Sequence, residues 1–338
     1  MAPSLSEFRK ELSSLTTINQ AASDAAVARD AVLTKPAGSL GELEALAIWL
    51  SGWQSKHPPS CDKPQVVIFA GNHGVCDQGI SAFPQEVTVQ MVANFENGGA
   101  AINQLALAFG ASFSVKALEL DNPTADFTSA PAMSEAECAA ALAAGWSSVD
   151  NDTDILVVGE MGIGNTTVAA ALSAALLGGT GAEWAGPGTG VSEEGVQRKA
   201  AVIDAGLARH RDILDDPLKI LQCLGGREIA AMVGAILSAR QKHIPVLLDG
   251  FVATAAATVL FKANAKTLDH CVAGHVSAEP GHKKLLKAIN KVPLLSLGMR
   301  LGEGSGAALA LAIIKGAVAT HNGMASFADA GVSEEKAD

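Results

Sequence analysis

Short apolar runs alternate along this chain with longer stretches in which apolar positions recur every three or four residues. Six runs, VVIFA, FSVKALEL, DILVVG, PVLLDG, TLDHCVAG and PLLSLG, have the length of strands, and helical patterns lie between most of them. Runs that are apolar at most positions predict strands buried on both faces, and parallel strands need crossovers that are usually helices. The pattern therefore predicts an α/β fold, a mainly parallel sheet covered by helices on both sides. The sheet does not start at once. Residues 4–14 and 18–33, and a run from the possible caps Ser39 and Gly41 to about Trp53, read as polar, alanine-rich helices. KHPPSCDKP is then a breaker-rich connector, after which the sheet opens with QVVIFAG. Beyond residue 306 the pattern returns to helix and closes on ASFADAGVSEEKAD, whose end is expected to fray.

Ligands of parallel sheets sit outside the carboxyl ends of the strands, so the residues after each run carry the functional reading. They are GNHGV, EMGIGNTT, DGF, GHVSAEPGH and GMRLGEGSG, five loops of glycine and short polar residues expected on one rim. EMGIGNTT is a strand-to-helix turn whose N–H groups suit a phosphate, although a tight structural turn has the same pattern. GPGTG at 186–190, followed by Arg198 and Lys199, is a second phosphate contact or an ordinary flexible loop. In GMRLGEGSGAALA, Ser305 is expected to cap the following apolar helix, leaving N–H groups free for an anion. Glu303 sits in the middle of that loop and would repel a phosphate placed directly beside it. Glu303 and Glu160 are thus either structural caps or acids that meet neutral or cationic reacting atoms some ångströms from the phosphate. Asp249 is either a cap for the helix FVATAAA or an acid that orients substrate.

Composition narrows the field. At 338 residues and 49% apolar content the chain can bury one large α/β domain, alone or with a small companion. Its 35 acidic and 24 basic residues give a net charge of −11 with no basic run, which argues against nucleic-acid and anionic membrane partners. Five cysteines without a C-x-x-C pair fit reduced, mostly buried thiols. With no signal-peptide core at the start and only short or interrupted apolar runs, a soluble cytoplasmic protein is expected.

Familiar motifs are missing. There is no G-x-x-x-x-G-K-[ST] and no G-x-G-x-x-G after a strand, which removes the P-loop and the standard dinucleotide fingerprint. Asp249 stands alone where a diphosphosugar-dependent transferase would show an acidic pair. No H-E-x-x-H or compact Cys/His quartet appears, so His73, His270, His275 and His282 read as solvated or hydrogen-bonded loop residues. No metal and no cofactor is expected.

Taken together, EMGIGNTT, GPGTG, LLDGF, GHVSAEPGH and LGMRLGEGSGAALA resemble the signature loops of the nicotinate-nucleotide:5,6-dimethylbenzimidazole phosphoribosyltransferase family, and GNHGV with SAFPQEVTVQM resembles its base-pocket segment. The resemblance spans roughly residues 4–325. It implies transfer of 5-phosphoribosyl from nicotinate mononucleotide to a benzimidazole, with inversion. It also implies Glu303 as the base that takes the acceptor's ring proton, and Glu160 as an acid across the ribose. Gly162, Gly164, Asn165, Thr166, Gly188, Gly190, Lys199, Asp249, Ser277, Arg300 and Gly302 would hold the donor nucleotide. Pro84, Gln85, Gln90, Met161 and Leu301 would shape the acceptor pocket.

The implied fold is a large domain with a six-stranded Rossmann-like sheet, at 61–305 here. A small helical domain would be made from residues 1–60 and 306–338, and the enzyme would be a homodimer. The rival reading is a non-catalytic nucleotide- or base-binding protein on the same fold; an oxidoreductase is disfavoured by the missing dinucleotide fingerprint.

Overall fold

A computed structural model describes residues 4–188 and 190–333. The chain opens with α1 (Leu5–Ser13), α2 (Gln20–Ala31) and α3 (Glu42–Trp53), followed by β1 (Pro64–Ala70), α4 (Glu86–Glu96), α5 (Ala101–Ala108) and β2 (Ser112–Ala117). Next come α6 (Glu135–Ser147), β3 (Ile155–Met161), α7 (Asn165–Leu177), α8 (Gly181–Trp184), α9 (Glu193–Arg209), α10 (Pro217–Leu224) and α11 (Arg227–Gln241). The last third holds β4 (Val246–Leu248), α12 (Phe251–Ala263), β5 (Cys271–His275), α13 (Pro280–Ala288), β6 (Pro293–Leu295), α14 (Ser305–Gly323) and α15 (Phe327–Ala330).

All six apolar runs become strands of one sheet, ordered β2-β1-β3-β4-β5-β6, and every pairing is parallel. The near-continuous apolar character of β1 and β3 follows from burial on both faces. In register, Val67, Val158 and Leu248 form a row on one face, packed under α7, α11 and α12. Val66, Val157 and Leu247, one residue out of phase, face the other layer with α3, α5 and α14. Side chains alternate across a strand, so a run that serves two cores has no polar positions to spare.

Two strands are shorter than their runs. TLDHCVAG pairs only from Cys271, because residues 265–268 close a 3-10 turn, and FSVKALEL leaves the ladder after Ala117. The segment after α2 meets the segment after α14: Leu33 bridges Ser326, Thr34 N–H donates to Ala325 O (3.1 Å) and Phe327 N–H donates to Val32 O (3.0 Å). Helix α3 packs along α14 beside this junction, whereas α1 buries Leu5, Phe8 and Leu12 in the opposite layer, with Phe8 edge-on to Trp146 at 6.2 Å. The three amino-terminal helices therefore do not travel together. No helix among the described residues is long and apolar enough to cross a membrane.

Candidate active site

The carboxyl ends of β3 to β6 open onto a cavity of about 550 Å³. Its floor begins with Glu160 in the last turn of β3. The chain then turns through Gly162 and Gly164 into α7, and Gly164 (φ 89°) is the left-handed N-cap that lets the first N–H groups of α7 face the cavity. Asn165, in that first turn, donates its side-chain N–H to the Glu160 carboxylate. Burial, reinforced by the Asp249 charge, raises Glu160 to about 8.

Glu303 arrives from the other side of the same floor. Gly302 (φ 82°), Glu303 (φ 61°) and Gly304 (φ 72°) are three consecutive left-handed residues. Glycine adopts that conformation freely, but for glutamate it costs roughly 1–2 kcal/mol. The turn is nonetheless fixed. Gly304 N–H donates to Asp249 Oδ2 (3.1 Å) and Ala307 N–H to Asp249 Oδ1 (2.9 Å), while Ser305 Oγ donates back to Gly302 O (2.7 Å). Ser305 is therefore the first residue of α14 and not its cap; the N-cap is Gly304, and the side-chain cap comes from Asp249, a strand away.

Asp249 does not cap α12 either, whose N-cap is Gly250. Glu303 is 7% exposed, and burial together with the Asp249 charge raises it to about 7. The Glu160 and Glu303 loops abut: a Cβ on Gly159 would lie 2.5 Å from Gly304 N, and one on Gly302 would strike the Glu160 carboxylate. The two acids thus line one cavity from adjoining loops.

The wall formed after β5 carries His275, Ser277 and Glu279. His282 shapes it: its Nδ1 accepts from Ser277 N–H (2.7 Å), so Nε2–H donates to Thr254 Oγ1 (2.9 Å), and burial lowers this imidazole to about 4. The strand-end histidines are accordingly not solvated loop residues. His73, His270, His275 and His282 are all buried: His270 Nε2–H donates to Ile236 O (3.0 Å), and His73 Nε2 stands 3.0 Å from Glu228 Oε1.

Facing this wall is Lys199 of α9, which is 3% exposed. Its ammonium donates to Thr166 Oγ1 (3.3 Å) and Gly186 O (3.2 Å), both neutral, and the Glu279 carboxylate of the facing wall acts on it from beyond ion-pair distance. Burial outweighs that attraction and lowers its pKa. A buried cation hydrogen-bonded only to neutral partners is expensive unless an anion joins it. Exposed Arg300 donates Nη1–H to Gly188 O (2.9 Å), tying the loop at 186–188 to the loop of Glu303 across the cavity mouth.

Of the residues singled out in the sequence, Glu160, Met161, Gly162, Asn165, Thr166, Gly188, Ser277, Arg300, Leu301, Gly302 and Glu303 line this cavity. Lys199 borders it through Thr166. Gly164 lies beneath the turn against Cys76, Asp249 is 2% exposed behind the Glu303 loop, and Gly190 is outside the lining. Pro84 and Gln85 line a neighbouring hollow of about 520 Å³ that shares Phe83 with the main cavity, and Gln90 is exposed on α4. Reading the sequence missed Phe83, Phe251, His275 and Glu279. Glu279 was readable by the criterion that found Glu160 and Glu303, a carboxylate in a rim loop; His275 was not, because only the packed strand ends bring it inward.

A family model described as a phosphoribosyltransferase matches residues 15–332. The chain is 58% identical over 330 residues to a protein of Cereibacter sphaeroides, and 59% identical over 330 residues to one of Roseobacter denitrificans, each alignment covering 98% of both chains. Both relatives are named nicotinate-nucleotide–dimethylbenzimidazole phosphoribosyltransferase. The crystal structure of CobT from Thermus thermophilus superposes with a TM-score of 0.86 at 40% identity, covering 93% of this chain and 100% of that one. A structure of the phosphoribosyltransferase of the same organism gives 0.85 at 38% identity, covering 94% and 100%.

Proposed function

The chain belongs to the nicotinate-nucleotide–dimethylbenzimidazole phosphoribosyltransferase family and has that activity, and on this premise we propose how its residues divide the work. The observation that carries the assignment is the placement, around one cavity, of the buried ammonium of Lys199, which among the described residues has no carboxylate within ion-pair distance, and the buried carboxylate of Glu303, raised to about 7. The 5-phosphate of nicotinate mononucleotide sits at the start of α7 and beside Gly188, Thr166 and Ser277, where Lys199 supplies the missing charge. The dimethylbenzimidazole lies between Met161, Leu301 and Phe83. Its polar edge points to the acids, and the hollow of Pro84 and Gln85 extends this apolar end.

One ring nitrogen of the acceptor attacks C1′ of the ribose as the bond from C1′ to the nicotinate nitrogen breaks. The leaving pyridinium takes that bonding pair and becomes neutral, so its departure needs neither a proton nor a metal. Glu303 accepts the N–H proton from the acceptor's second nitrogen. Attack from the face opposite nicotinate inverts the anomeric carbon and gives α-ribazole 5′-phosphate. Glu160, on the adjoining loop and hydrogen-bonded to Asn165, positions the ribose. A homodimer is part of the same reading and rests on the resemblance alone; sedimentation of the purified protein against 34.3 kDa decides it.

The test is an assay with both substrates in excess EDTA, following nicotinate and α-ribazole 5′-phosphate by chromatography. Wild type is expected to form them in equal amounts. Glu303→Gln should keep donor binding and lose turnover by ~10²- to 10⁴-fold. Turnover of that variant at the wild-type rate removes Glu303 from the role, and donor binding without any product from wild type would return the protein to the non-catalytic reading.

A further inference from the structure

We propose that Asp249 and His275 are a positioning pair for the Glu303 turn: the Asp249 carboxylate fixes the backbone of Gly304 and Ala307, and the His275 ring holds that carboxylate in place. Glu303 sits in a conformation that a glutamate abandons when nothing constrains it. Among the described residues, Asp249 is the side chain from outside the turn that hydrogen-bonds residues 302–307, and it does so through both oxygens. His275 stands against that carboxylate, its Nε2 3.3 Å from Oδ1 without a well-aligned hydrogen bond, so the ring limits where the carboxylate can swing. The ring of His275 also lies flat against Gly306, where any side chain would collide with it. Asp249 is 2% exposed and does not line the cavity, so its influence passes through the loop and not through contact with the donor.

The arrangement also sets charge. Glu303 is faced by Asp249 from β4, Glu160 from β3 and His275 from β5, with Arg300 on its own loop. The Asp249 charge works with burial to raise the Glu303 pKa, so a neutral residue at 249 should leave Glu303 a weaker base that ionises at lower pH. The inference rests on Glu303 being the base, as proposed above.

The experiment measures kcat and kcat/KM against pH, and the Kd of nicotinate mononucleotide by calorimetry, for wild type, Asp249→Asn, His275→Gln and Glu303→Gln. Asp249→Asn is expected to lower kcat by ~10²-fold, to move the acid limb of the kcat/KM profile, which reports the free enzyme, down by roughly one pH unit from its wild-type position near 7, and to leave the donor Kd within about threefold. His275→Gln, which keeps both N–H bonds to Asp249, should lower kcat by about tenfold at unchanged donor Kd. It carries the test if Asp249→Asn does not fold. Wild-type kcat and an unmoved limb in Asp249→Asn overturn the pairing, as does wild-type kcat in His275→Gln. A donor Kd that weakens in step with kcat overturns it too, by making Asp249 a donor ligand. If Glu303→Gln itself turns over normally, the base assignment has failed, which is a separate outcome.

Discussion

Glu160 shows what the cavity costs the fold. Its pKa in the folded chain, about 8, stands above the ordinary 4.5, because burial and the neighbouring Asp249 charge oppose ionisation. Between those two values the folded protein keeps a proton that the unfolded chain has released, so stability falls as pH rises through that window and the loss is complete above about 8. Glu160→Gln removes the penalty. Its melting temperature relative to wild type should be higher at pH 9 than at pH 5, and a difference independent of pH would show that Glu160 ionises freely. At this scale the sequence was legible where chemistry is local: Glu160, Glu303 and the glycines around them stand out because carboxylates are rare in glycine-rich rim loops. Asp249 was ambiguous and His275 was missed for the opposite reason. What they do depends on Gly304, Ala307 and Gly306, which no spacing along the chain places beside them.

Among the elements, the helices α6 and α11 cross at close range over the sheet. Gly145 of α6 lies directly on the carbonyl of Ala231, and Gly234 of α11 on that of Leu142, so each helix meets the other backbone to backbone. Alanine is the better helix former by about 1 kcal/mol, and Gly145→Ala would stabilise an isolated α6. Here the collision should prevail. Overpacking of this kind costs roughly 1–3 kcal/mol, so Gly145→Ala is expected to lower the denaturant midpoint, and an unchanged or raised midpoint would mean that the helices can part at little cost. The elements themselves were readable because a strand covered on both faces must be apolar at nearly every position. Their ends were less so: the Ser305 cap failed because a side chain from another strand does that work, and Ser39 lost to Gly41 at the start of α3.

For the molecule as a whole, the buried ammonium of Lys199 makes ligand binding part of stability. A donor held at about a hundred times its Kd adds about 2.7 kcal/mol to the folded state. Most of that gain should vanish in Lys199→Met, which needs no anion; the melting temperatures of wild type and variant with and without nicotinate mononucleotide decide it, and equal shifts in both would move the phosphate elsewhere. The parallel sheet and its helical layers followed from the alternation of runs, but the departure of α1 from α2 and α3 did not, since an amphipathic helix does not say which apolar layer it will join. The clamp on the turn of Glu303 reaches beyond chemistry into the history of each molecule. Glu160 leaves the ribosome on the order of ten seconds before Glu303 at usual rates of synthesis. The aspartate that will fix the turn is also made before the backbone it holds. No nascent chain or carboxyl-terminal truncation that stops short of α14 can own a finished site, so competence is conferred late, by the helix that leads into the pairing with Leu33.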